Sequence, residues 1–184
     1  GFTMAKKKQN ELQLDSIVKQ SEQIDELSTY VVDKEKNIVI KYNKEFSEIK
    51  IGEMMNELFS HIMYDVENKK GFFVDDETFM IYINFLMIKH FSHLGGSMKN
   101  NTLEENVVYI EHLGKTGYFR LFFNEIFEPK EVAKVFEMVR ERAEMVEKIK
   151  DAEIDLMNQA QKIPSKNKID EMIEEAVKLQ AKSK

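Results

Sequence analysis

Between Phe79 and Phe91 the chain reads FMIYINFLMIKHF, apolar around nearly the whole circumference of a helix. A helix with no polar side either spans a membrane or forms the centre of a core. Its uninterrupted apolar part is about ten residues, against the roughly 20 that a bilayer crossing requires. Asn84 interrupts the run, and Lys89 and His90 close it. The stretch therefore predicts a central core helix with other helices packed around it.

The neighbouring segments support that architecture. Residues 9–27 carry Leu12, Leu14, Ile17, Val18, Ile24 and Leu27 at loosely helical spacing and read as an N-terminal arm. The β-rich runs 29–32 and 38–42 flank a polar connection with Asp33 and Asn37, which reads as a hairpin. EFSEIKI suggests a short third strand ending at Gly52. From Glu53 the period is helical, with Met54, Met55, Leu58, Phe59, Ile62, Met63 and Val66 on one face and Glu53, Glu57 and Asp65 outside it. Gly71 reads as a stop, Asp75 or Asp76 as the next N-cap, and LGGSMKNN as a mobile loop.

Thr102 and Glu105 have capping-box spacing, and the helix they open carries Val107, Val108, Ile110 and Leu113, ending at Gly114. YFRLFFNEIF follows as an aromatic-rich helical segment. Pro129 then starts a helix that meets no Gly or Pro until about Gln161, with apolar residues at heptad-like spacing through Ile149 and a phase slip before Leu156. Pro164 breaks it, Ser165 is available as a cap, and a last helix carries Ile169, Met172, Ile173 and Ala176 on one face. The expected fold is mainly α: a helical domain with a buried central helix, a small N-terminal β-hairpin, and a long C-terminal helix followed by a short one. Its parts are an arm at 1–28, a globular domain at 29–128 and a helical arm or hairpin at 129–184.

Composition narrows the function classes. The net charge of −6 argues against duplex DNA or an anionic membrane as the principal partner; Lys6, Lys7 and Lys8 form only a short basic run. The absence of cysteine excludes disulfides, thiolate metal sites and cysteine nucleophiles. The opening GFTMAKKKQNELQ lacks the basic-then-apolar pattern of a secretory signal, so a cytoplasmic location is expected.

Candidate chemistry is sparse. His90 and His93, with Glu111 and His112 on the next helix, make the strongest metal candidate, but no carboxylate has the H-E-x-x-H spacing. They read as helix-end or surface histidines. HLGGSMKNN and EHLGKTGYF contain no complete phosphate-binding loop, and no G-x-S-x-G elbow occurs. No enzyme and no cofactor is expected. The paired carboxylates Asp75-Asp76, Glu104-Glu105 and Glu174-Glu175 read as helix-start or solvated groups.

The segment GYFRLFFNEIF is the exception to simple core packing, because one helix cannot hide all its aromatic residues on a single face. Tyr118, Phe119, Phe122, Phe123 and Phe127 are therefore candidate partner-binding residues, joined by Val139 and Val146 on the long helix and Ile169 and Ile173 on the last. The segments FLMIKHFSHL and GYFRLFFNEIFEPKEVAKVFEMV, with the acidic helical tail, resemble small virion-assembly proteins of phages and prophages of low-GC Gram-positive bacteria, including tail-assembly-chaperone-like proteins. The resemblance spans about residues 45–150. It implies a cytoplasmic protein that binds another structural protein and performs no chemistry. Self-association through the C-terminal helices is the related expectation. An acidic regulator or inhibitor bound to a host protein is the alternative, and a metal-dependent enzyme on His90, His93 and His112 a third.

Overall fold

A computed structural model describes residues 7–162 and 166–182, with the side chains of residues 150, 160–162 and 166–169 outside the description. The fold is mainly α, as expected. The described residues form two units that divide between Met138 and Val139.

In the first unit, helix α1 (Leu14–Asp25) buries none of its residues. Strands β1 (Leu27–Asp33) and β2 (Ile38–Asn43) pair antiparallel, with a bulge between Val31 and Asp33. Asn37 takes a positive φ of 51° in the turn, and Asp33 Oδ1 accepts from Lys36 N–H at 3.0 Å. A lone hairpin is marginal in water. This one is tied down by a Tyr42–Ser92 bridge and by the Lys41 N–H, which donates to His93 Nδ1 at 3.0 Å.

EFSEIKI is not a strand. Ser47 caps helix α2 (Glu48–Glu67) by accepting from Lys50 N–H, so Glu48 to Gly52 form its first turns. Only four apolar residues of α2 are buried, Ile51, Met54, Met55 and Leu58, while Met63 and Val66 of the expected stripe are exposed. Asp65, expected on the polar side, is buried. Its carboxylate accepts from the N–H groups of Phe72 and Phe73 at 2.9 and 3.1 Å, holding the turn into the next helix.

Helix α3 (Asp76–Phe91) is the core element, capped by Asp75 through Thr78 N–H at 2.8 Å. Tyr82, Ile83, Phe85, Leu86, Met87, Ile88 and Phe91 are buried, whereas Met80 and Ile81 near its start reach solvent. LGGSMKNN is structured rather than a loose loop: His93–Ser97 form a 3-10 turn and Met98 is buried. A side chain at Gly95 would fall on the carbonyl oxygen of Lys89, which makes glycine obligatory there.

Helix α4 (Leu103–Thr116) has the expected Thr102/Glu105 capping box, but it runs through Gly114 and stops at Gly117, whose φ of 79° only glycine adopts freely. Helix α5 (Tyr118–Leu121) leads directly into a π-helical turn (Phe122–Ile126). Pro129 opens helix α6 (Pro129–Lys162), as expected. The expected break at Pro164 and cap at Ser165 lie outside the described residues, and helix α7 covers Lys166–Lys182. In the second unit, Met145, Ile149, Ile154, Leu156 and Met157 of α6 and Met172, Ile173, Val177 and Leu179 of α7 are each more than half exposed.

Candidate functional site

The chain turns sharply at Gly117, and this opens a groove between α3, α4 and the α5–π segment. Ile81 and Asn84 lie three positions apart on α3, and Ile110 and Gly114 four apart on α4, so each pair shares a helix face. Phe119, Arg120 and Phe123 supply the other wall, enclosing about 600 Å³. That volume lies within the range of ligand-binding clefts, about 300–1,000 Å³. Phe119 and Phe123 stack with ring centroids 5.9 Å apart. Added Cβ atoms at Gly114 and Gly117 would meet nothing within 4 Å, so both glycines face open space.

The π turn shapes this wall. The Phe127 N–H donates to the Phe122 carbonyl at 2.8 Å, five residues back instead of four. The wider turn separates the aromatic residues into two sets. Phe122 and Phe127 are buried, with Phe127 edge-on to Phe46 at 5.1 Å. Tyr118, Phe119 and Phe123 remain half-buried. Such turns occur often at functional sites.

Two of the lining residues, Asn84 and Arg120, carry polar groups without partners among the described residues. Asn84 Oδ1 is buried without a hydrogen-bond donor, a condition that costs about 1–3 kcal/mol. Arg120 is exposed and has no ion-pair partner among the described residues, and no carboxylate lines the groove.

The remaining sequence candidates disperse. Val139 is buried, Val146 and Ile173 are exposed, and the side chain of Ile169 lies outside the described residues. The four candidate metal ligands also go separate ways. His90 Nε2 meets Glu57 Oε2 at 3.1 Å, His93 Nδ1 accepts from Lys41, Glu111 pairs with Lys115 at 2.9 Å, and His112 is exposed. No group of three potential ligands converges among the described residues.

Sequence reasoning missed a polar seam between α2, α3 and α4. Glu57 binds both Lys89 and His90. Burial pushes the Glu57 carboxyl up, but the bonds and charges of His90 and Lys89 together outweigh it and hold the group below the usual carboxylate range. Four residues along α2, His61 Nδ1 and the Tyr82 hydroxyl share a hydrogen bond, and the Tyr82 oxygen accepts from Asn106 Nδ2 at 2.9 Å. Burial lowers the His61 pKa, against the opposing charge of Glu57, and raises that of Tyr82. At the outer end Glu104 accepts from Tyr64 and pairs with Lys70, both contacts holding its carboxyl at about 2. Glu57 and His61 at i and i+4 were the one sequence signal of this seam.

Comparison with known proteins adds one match. A family model described as YomO matches residues 14–181. No curated protein and no solved structure matches the chain. No helix among the described residues is long and apolar enough to cross a membrane.

Proposed function

The chain belongs to the YomO family, whose phage/prophage-type Bacillus name is consistent with a phage-like origin, and we propose that it is a non-enzymatic assembly factor that works by protein association. The observation that carries this reading is the apolar surface of the second unit. Met145, Ile149 and Leu156 recur at three- and four-residue multiples along α6, and Met172, Ile173, Val177 and Leu179 do so along α7, all exposed. Single exposed apolar residues are ordinary, whereas runs of them along helices mark association surfaces. In its finer form the reading is of a virion-assembly protein of the tail-assembly-chaperone kind, acting in the cytoplasm and needing no cofactor.

Light scattering coupled to size exclusion, over a range of loading concentrations, tests it. The full chain should exceed its monomer mass of 21.7 kDa, and the double variant Ile149→Glu/Leu156→Glu should return to it. A full chain that stays monomeric throughout, with the double variant eluting identically, counts against the reading.

A further inference from the structure

The groove between α3, α4 and α5 has the chemistry of a receptor for a segment that this same chain carries. We propose that it receives helix α7 of a second copy. This deepens the association reading above by naming the occupant of a particular site.

The groove asks for two things at once. Ile81, Ile110, Phe119 and Phe123 require an apolar surface, and the open space over Gly114 and Gly117 leaves room for an approaching helix. Arg120, without a carboxylate partner among the described residues, requires an acid at the rim.

Helix α7 offers matching groups. Between Lys168 and Lys178 it carries Asp170, Glu171, Glu174 and Glu175 and no cation. At about 100° per residue, Met172, Ile173, Ala176, Val177 and Leu179 share one arc. Glu174 borders it beside Val177, and Glu175 borders the opposite edge beside Leu179. The described part of α7 is exposed throughout. By contrast, distal α6 mixes both charge signs, with Arg140, Arg142 and Lys148 among its acids, so it matches Arg120 less well. A groove that takes a different element of the next copy makes a heterologous contact, which propagates into a ring or an open chain instead of stopping at a dimer.

The test is fluorescence anisotropy of a labelled peptide of residues 166–182 titrated with the full chain at low concentration. Saturable binding is expected, weakened at least tenfold by Gly114→Leu, which fills the groove from its floor, and by Arg120→Glu. A peptide carrying Glu174→Lys and Glu175→Lys should bind the Arg120→Glu chain better than the original chain. Circular dichroism establishes that both variants keep their helix content. Absence of peptide binding overturns the proposal, as does binding indifferent to Gly114→Leu, or a charge swap that restores nothing. If light scattering still shows assembly in that case, the association reading stands and only the groove assignment falls.

Discussion

The backbone N–H of Phe46 donates to the Glu131 carboxylate at 2.9 Å, joining positions 85 residues apart. Glu131 is buried in the first turn of α6 and also holds Lys134 at 2.8 Å. Phe46 stacks on Phe91 of the core helix, with centroids 3.9 Å apart. One carboxylate therefore fastens the start of α6 to the connection between hairpin and α2. Glu131→Ala should cost about 1–3 kcal/mol, because it leaves a buried N–H without an acceptor. Glu131→Gln keeps an acceptor and should lose less, as read from denaturant midpoints. Equal losses would show that charge, not the acceptor, matters there.

The Glu57–Lys89 pair lies within the first unit, with side chains 19% and 7% exposed. Removing one partner of a buried pair strands the other charge, typically at about 3–5 kcal/mol. Glu57→Leu should show a loss of that order, and the double variant Glu57→Leu/Lys89→Met should recover most of it. A double-mutant cycle measures the coupling; a double variant no more stable than the single one contradicts the assignment.

Stability should also respond to pH through His61. Its folded-state pKa lies below the ordinary 6.5, so the unfolded chain takes up this proton first as the solution is acidified. The contribution is complete above pH 6.5 and is lost as pH falls below it, down to the folded value. The facing groups are Tyr82 by hydrogen bond and Glu57, Lys89 and Glu104 by charge. His61→Asn should flatten the stability profile just below pH 6.5. The separate loss below the ordinary carboxylate value of 4.5, from Glu57, should persist. Chemical denaturation at half-unit pH steps resolves the two.

Two adjacent glycines should behave oppositely. Gly95→Ala places a Cβ against the backbone of Lys89, whereas at Gly96 the added atom meets nothing within 4 Å. The first substitution should cost about 1–3 kcal/mol, as overpacking does, and the second should be close to neutral. Thermal melts of the two variants suffice; similar melting points would mean that the 3-10 turn shifts freely.

The elements visible in the sequence were those fixed by local chemistry. Asp75, the Thr102/Glu105 box and Pro129 each satisfy or tolerate the free N–H groups of a helix start, whatever surrounds them. The elements misread depended on partners elsewhere. EFSEIKI has a strand-like alternation, but the Ser47 cap and the burial of Phe46 against Phe91 decide for a helix. Gly114 looks like a stop, although only Gly117 has the left-handed backbone. Asp65 looks solvated until the turn at Phe72 and Phe73 folds back over it. The groove was legible only as an excess of aromatic residues. Which of them face it depends on a hydrogen-bond offset that helical periodicity does not encode.

That offset is a matter of one residue. Because Phe127 bonds to Phe122 and not to Phe123, the segment holds one position more than an α-helix of the same span. Deleting a single codon between Leu121 and Phe127 would restore the α count and turn everything on one side of the cut by about 100° relative to the other. The aromatic wall would then be divided differently between interior and surface. The division of the aromatic residues between groove and core thus hangs on a single extra position, and its removal is the smallest change in the gene that would redraw it.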